Sequence, residues 1–495
     1  MPNLRKDTLA GVGWMGLAQL AGQAMRFIYA ALLARLVAPG EFGLFQMALV
    51  FTGFAALLCD VGLGAALIQR PTVEQRQLSA TFWFNLGMSL ILVLLLCGLA
   101  EVLSLAYHKP AVAPLIRVVA LDFLVGSLAI VHRALLVRAL DFRRLALAET
   151  IGVLLGGLTA LVAAFLGAGV WSLVTLVLTT TAVTTTLLWI LKPWRPSLMF
   201  GGMVSDGLLS FGLHLQAFNM LNYWLRNLDK FLIGRLWGSA SLGQYTRAYS
   251  TMLLPQSQLT GMLERVMWPA LARCSGDLPR LREAYLQTLR LVCFVSFPFL
   301  AGLLVTADDF VQIVYGPLWT DCVPMLKWLC VVGMAQTPVA TTGWLYLATG
   351  RTRLLLAWGV GAGALIATSL VTSALLGDVM TMIKGYTAAT VFLVIPAFVV
   401  ANLCVKLPWR AIVTAIGGPL LASAGMAGAL QATINSPLAA FPPFERLAAS
   451  VFAGAILYLG LSLLLRLPAL QEARSLALEI RAKRLSRATR PAQPS

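Results

Sequence analysis

Two arginines set deep in apolar surroundings are the residues of this sequence best fitted to chemistry. Arg26 and Arg226 each follow about thirteen or more residues of an apolar run, which is roughly 20 Å of helix at 1.5 Å per residue. An ion at that depth costs at least about 2.5–3.5 kcal/mol unless it faces water or a partner. Polar side chains accompany both at helical spacing: Gln19 and Gln23 ahead of Arg26, and Asn219, Asn222 and Lys230 around Arg226. These stripes read as facing walls of an aqueous, cationic cavity, against the alternative of internal ion pairing, above all Arg226 with Asp229. A guanidinium presents parallel N–H donors and stays charged at physiological pH, so such a cavity suits a phosphate or carboxylate. Arg117 and Lys327 would extend the basic path.

The acids inside apolar runs are Asp60, Asp122, Glu149, Asp229 and Glu264. A carboxylate away from water holds its proton more tightly, so such a group can couple transport to a proton or bind a cation. Asp122, the most central, is the first candidate for coupling to H+ or Na+, with Asp60 and Asp229 behind it; each can equally neutralise a neighbouring arginine. Seven cysteines and three histidines are scattered without C-x-x-C or H-x-x-x-H spacing, which argues against a metal site or a disulfide framework. No cofactor and no catalytic set is expected.

The elements that carry these groups follow from composition. Of 495 residues, 59% are hydrophobic and only 12% charged, well below the roughly 25% of a soluble protein. The net charge of +17 therefore points to a membrane surface and not to nucleic acid. A bilayer core about 30 Å thick needs about 20 apolar residues per helix. Fourteen such runs occur, at 11–36, 43–68, 80–105, 113–137, 145–166, 170–191, 206–236, 243–268, 285–306, 322–347, 354–376, 382–402, 411–430 and 446–466. With the N-terminus inside, the inner segments hold twenty-two Lys and Arg and the outer loops one, Lys109, as cytoplasmic loops should. The chain therefore reads as an all-α polytopic membrane protein with both ends cytoplasmic. Its first helix is retained, since Met1 to Lys6 are not followed by a short apolar stretch and a cleavage site.

An internal repeat orders these runs. "RFIYAALLARL" (Arg26 to Leu36) lies over "RNLDKFLIGRL" (Arg226 to Leu236) at an offset of 200, which pairs Arg26 with Arg226 and Arg35 with Arg235. The register continues through Gly43 over Gly243, Phe45 over Tyr245 and Ala48 over Ala248, then drifts to 210, where Pro114 and Arg117 sit over Pro324 and Lys327 and Arg143 over Arg353. Paired arginines inside apolar runs are hard to obtain by chance. Six runs separate the copies, so the halves are parallel repeats about an axis along the membrane normal, with a substrate site expected between them. The expected organisation is a six-helix lobe (1–197), a second six-helix lobe (198–404), two additional helices (405–467) and a basic tail (468–495). The linker is the Pro-rich segment Lys192 to Val204. Pro255, Pro298, Pro324, Pro338 and Pro396 are permissive sites for hinges.

The opening amphipathic helix, the segment "ALLARLVAPGEFGLFQMALVF" (Ala31 to Phe51), the following "DVGLGAALIQRP" (Asp60 to Pro71), and fourteen spans arranged as two six-helix lobes plus two resemble the Wzx-type polysaccharide flippases. These belong to the multidrug/oligosaccharidyl-lipid/polysaccharide (MOP) exporter superfamily, whose MATE and MurJ branches share the lobed architecture. The resemblance is diffuse, covers nearly the whole chain and is densest in residues 1–150. It implies translocation of polyprenyl-diphosphate-linked oligosaccharides to the outer leaflet of the bacterial inner membrane by alternating access, often driven by an ion gradient. It also implies membrane lipids and a polysaccharide polymerase or export machinery as partners, and a lipid tail accommodated by the last two helices. Arg26 and Arg226 then stand where a diphosphate or acidic sugar would bind. The competing readings are a lipid II-type or multidrug exporter of the same superfamily, and a membrane-embedded glycosyltransferase or polymerase. Arginines disfavour the cationic substrates of drug exporters, and outer loops no longer than about fifteen residues disfavour an enzyme that needs catalytic acids on substantial loops.

Overall fold

A computed structural model describes residues 21–59, 67–68, 73–198, 208–273, 277–434, 441–470 and 472. Gln19 and Asp60, both candidates above, lie outside the described residues, as does the tail from 473 onward. The described elements are helices, without a strand among the described residues: α1 (21–36), α2 (Pro39–Cys59), α3 (Gln75–Ala106), α4 (Val112–Ser127), α5 (Ile130–Arg138), α6 (Phe142–Phe165), α7 (Val170–Leu191), α8 (Leu208–Arg273), α9 (Leu278–Val305), α10 (Ala307–Val314), α11 (Cys322–Ala348), α12 (Thr352–Leu376), α13 (Val379–Val405), α14 (Trp409–Ile434) and α15 (Pro443–Leu464). Ten are long and apolar enough to cross a membrane, or eleven if α4 and α5, bent by 40° to each other, form one span. The remaining apolar runs coincide with α1 and with the two parts of α8, which is kinked at Gly238, φ 84°. The chain is an all-α polytopic membrane protein.

Local chemistry sets the helix ends. Glu74 and Gln77 form a reciprocal capping box at the start of α3, and Asp141, Asp277 and Asp378 accept from backbone N–H groups in the first turns of α6, α9 and α13. These caps satisfy donors that have no partner within the helix. Pro298, Pro338 and Pro396 lie inside continuous helices. The break in the fourth span falls instead at Leu128 and Ala129, where no proline stands. Carbonyls freed there are taken by α7: Thr185 Oγ1 donates to Val125 O (3.2 Å) and Trp189 Nε1 to Leu128 O (2.9 Å). Helices α6 and α7 approach closely because a Cβ on Gly152 or Gly156 would fall 2.1 Å from the hydroxyl of Thr184 or Thr180.

The helices group into two compact units, residues 1–246 with 314–318, and residues 247–313 with 319–495. Within the first unit the segment after α7 is tied down. Gln75 accepts from Trp194 Nε1 (2.7 Å) and donates to Arg195 O (2.8 Å), Ser79 meets Ser197 at 2.8 Å, and Trp83 Nε1 donates to Ser197 O (2.9 Å).

The repeat has a structural counterpart in the same unit. A Cβ on Gly43 would fall 1.7 Å from Ser239 O, and one on Gly243 would fall 1.9 Å from Pro39 O. Residues 39 and 239, like 43 and 243, are partners at the offset of 200, so position i of one copy meets position j of the other and the reverse. That reciprocity is the mark of a two-fold relation. Arg35 Nε donates to Val314 O (3.4 Å), after the third span of the second copy, and Arg235 Nη1 meets His108 Nε2 (3.0 Å), after the third span of the first.

Candidate functional site

Arg26 is aimed by its own helix. One turn further along α1, Tyr29 donates its hydroxyl to Leu154 O of α6 (3.2 Å), and its ring lies where a Cβ of Gly157 would stand. The face shared by residues 26 and 29 is thereby turned toward α6 and α7. There Arg26 lines a cavity of about 580 Å³ together with Arg133, Glu149, Cys59 and the α7 threonines 180, 181, 184 and 185. Arg133 Nη1 pairs with Glu149 Oε1 at 3.3 Å, both side chains about half exposed. Arg26 makes no hydrogen bond or ion pair among the described residues. An unpaired guanidinium facing an open polar cavity has the donor array that a phosphate or carboxylate takes up.

Asp122, the first acid singled out from sequence, stands beside this cavity. Its carboxylate neighbours Thr181, one of the lining residues, and Oδ1 is buried without a hydrogen-bond partner among the described residues.

The other candidates fall elsewhere. Gln23 and Asn219 are half-buried, and Asn222 is exposed on α8. Arg226 is exposed and unpaired among the described residues, and it is not in the lining of the Arg26 cavity. Asp229 is buried and accepts from the Tyr245 hydroxyl at 2.5 Å and from the Lys230 backbone at 2.8 Å, so Tyr245 and not Arg226 is its hydrogen-bonding partner. Lys230 Nζ donates to Asn227 Oδ1 (2.9 Å). Arg117 is engaged by Glu101 (2.8 Å) and Lys327 by Asp308 (2.6 Å). Each of these two repeat-related cations is thus engaged by an acid earlier in the chain, sixteen residues before Arg117 and nineteen before Lys327.

Sequence reasoning named Glu149 only as an acid inside an apolar run and gave no role to Arg133 or to the threonines. The run "TTTAVTTT" (Thr179 to Thr186) was the available signal, since six hydroxyls in eight residues of an apolar span call for partners.

A second cavity lies in the other unit. About 640 Å³ is enclosed by α9, α14 and α15, with Phe294, Phe299, Leu303, Met426, Val451 and Leu459 among an almost wholly apolar lining. Ion pairs bracket it: Arg446 holds Asp309 through two donors near Phe310 and Leu447, and Arg290 holds Glu472 near Phe294.

Comparison with known proteins agrees with this architecture. The profile of the family described as polysaccharide biosynthesis protein matches residues 32–324. The chain is 30% identical over 351 residues to the lipopolysaccharide biosynthesis protein WzxC of Escherichia coli K12, covering 70% of this chain and 71% of that one. It is 29% identical over 462 residues to the teichuronic acid biosynthesis protein TuaB of Bacillus subtilis 168, covering 93% and 96%. Among solved structures, the lipid II flippase MurJ in an inward closed conformation superposes with a TM-score of 0.70 at 14% identity, covering 91% of this chain and 98% of that one. The chain belongs to this family of polysaccharide biosynthesis proteins.

Proposed function

We propose that this transporter carries polyprenyl-diphosphate-linked oligosaccharide units from the inner to the outer leaflet of the bacterial inner membrane by alternating access, for assembly of a surface or exported polysaccharide. The observation that carries the reading is Arg26: a guanidinium without a hydrogen bond or ion pair among the described residues, set in an apolar run and lining a cavity with polar walls. A charge so placed is costly without an anionic ligand. Arg226, its repeat partner and likewise without an ion pair among the described residues, is proposed as a second contact for the same diphosphate. The slot between α9, α14 and α15 has the apolar lining that an isoprenoid chain requires. Both termini are proposed to be cytoplasmic, from the distribution of Lys and Arg. The lobes are proposed to divide at 197/198, with the last two helices separate. Asp122 is the proposed coupling acid for H+ or Na+, and polymerase or export proteins are the proposed partners downstream.

The test is mass spectrometry of polyprenyl-linked saccharides from cells lacking the gene. Accumulation of a completed unit, relieved by the wild-type gene and not by Arg26→Ala/Arg226→Ala, is expected. Absence of any accumulated lipid-linked saccharide would remove the proposal and leave a lipid II-type or drug exporter as the alternative. Rescue by the double variant would keep the flippase and discard the arginine site.

A further inference from the structure

The Arg26 cavity holds more than a diphosphate needs. Among the described residues its one cation without a hydrogen bond or ion pair is Arg26, while Glu149 contributes a carboxylate that would repel a second phosphate. Among the described residues the remaining polar lining is hydroxyl, apart from the Cys59 thiol. Thr180 gives its proton to Leu176 O (2.6 Å) and Thr185 to Val125 O (3.2 Å), so each presents oxygen lone pairs to the space beyond. Glu149 keeps an acceptor oxygen outside its contact with Arg133. Among the described residues the cavity therefore offers several acceptors, one free donor fork and one paired donor fork. Its 580 Å³ lies within the roughly 300–1,000 Å³ of small-molecule sites. A ligand that matches this array must bring several O–H donors and one or more acceptors in a small rigid frame, as a sugar ring does.

We propose that this cavity is a saccharide subsite, in which Glu149 and the α7 threonines accept from ring hydroxyls and Arg26 donates to the anionic or carbonyl group at its edge. Arg133 is the positioning residue that holds Glu149 toward the space. The inference rests on the flippase reading above and adds where the sugar end of the cargo is read. Helix packing shapes the subsite: Gly152 and Gly156 let Thr184 and Thr180 stand against α6 beside Glu149, where a Cβ would displace them.

A native thiol reports on the site. Cys59 lines the cavity, whereas Cys293, Cys322, Cys330 and Cys404 are buried. The full-length purified protein would be treated with a charged methanethiosulfonate, and modification of Cys59 followed by peptide mass mapping. Two probes are compared: the lipid-linked saccharide extracted from cells lacking the gene, and the bare polyprenyl diphosphate. Protection of Cys59 by the saccharide-bearing lipid, and little by the bare diphosphate, is expected. In Glu149→Gln and Thr184→Val, the concentration needed for protection should rise about fivefold per hydrogen bond lost. Equal protection by both probes, or unchanged protection in both variants, would overturn the subsite while leaving the flippase standing. Failure of the deletion cells to supply a lipid-linked saccharide is the separate outcome that removes the flippase and the subsite with it. Circular dichroism and thermal midpoints of the variants separate a misfolded protein from a lost contact.

Discussion

Replacing Gly43 by alanine should destabilise the protein, although the same change in an open helix stabilises it. Ordinarily Gly→Ala in a helix gains about 0.5–1 kcal/mol, because the unfolded chain loses freedom. At Gly43 the new methyl would sit 1.7 Å from the carbonyl oxygen of Ser239, and within 2.8 Å of its Cα. Comfortable contact begins at about 3.5 Å, so α2 and the second part of α8 must part by more than an ångström. Ser239 offers backbone there and no flexible side-chain end that could move aside. Overpacking of this kind costs about 1–3 kcal/mol, which outweighs the helix gain. Gly243→Ala should behave alike, since its methyl would meet Pro39 O at 1.9 Å. The double variant should cost less than the sum, because one separation of the helices makes room for both methyls. Gly87 and Gly359, which have nothing within 4 Å of a Cβ, serve as controls whose alanine variants should hold or raise stability. The assay is the thermal midpoint in one detergent for all five proteins. A Gly43→Ala midpoint at or above that of Gly359→Ala would refute the close crossing and the repeat contact drawn from it.

Arg26→Ala should lower export of the lipid-linked cargo about tenfold or more, the worth of one charge-assisted contact, while Arg117→Ala, whose guanidinium Glu101 already engages, should change it by less than about threefold; polysaccharide yield per unit of membrane protein measures both. Arg446→Ala leaves the Asp309 carboxylate, 5% exposed, without its partner and should lower stability by about 3 kcal/mol, whereas Asp309→Asn/Arg446→Leu should recover much of the loss; thermal midpoints decide between them. Asp378 caps α13, and hydrogen bonds from the backbone and hydroxyl of Thr381 hold its carboxyl below the ordinary 3.8. The capping contribution is thus fully present above pH 3.8 and fades as pH falls through the lowered value, so Asp378→Asn should flatten the stability profile in that acid range, and an unchanged profile would contradict it.

Much of the architecture could be read from the chain because a bilayer imposes one rule everywhere: about 20 apolar residues between polar ends. The apolar runs coincide with helix, and the alignment of Gly43 with Gly243 marked a place where two backbones meet. The site was legible only in part. Depth alone exposed Arg26 as a residue in need of a reason, but its companions Arg133 and Glu149 belong to different helices, Arg133 to α5 beyond the break at Leu128 and Ala129 and Glu149 to α6. No proline announces that break; it is held by Thr185 and Trp189 from α7, a tertiary cause invisible to a local pattern. Arg117 and Lys327 looked like an extension of the path because a sequence shows a charge without its neighbour, and Glu101 and Asp308 are those neighbours. Asp229 likewise stands out as a buried acid, yet its partner Tyr245 lies sixteen residues on, beyond the kink at Gly238.

The strap after α7 bears on how the protein is made. The groups on Gln75, Ser79 and Trp83 that Trp194, Arg195 and Ser197 bond to have already been synthesised when residue 198 leaves the ribosome. Helices α1 to α7 can therefore be tied off while α8 is still unmade. When α8 follows, it finds a finished wall, with Val50 O ready to accept from Tyr223 (2.7 Å) and Gly43 leaving space for Ser239. The order of translation thus matches the order in which the contacts depend on one another, which limits the time that half-built apolar surface waits for a partner.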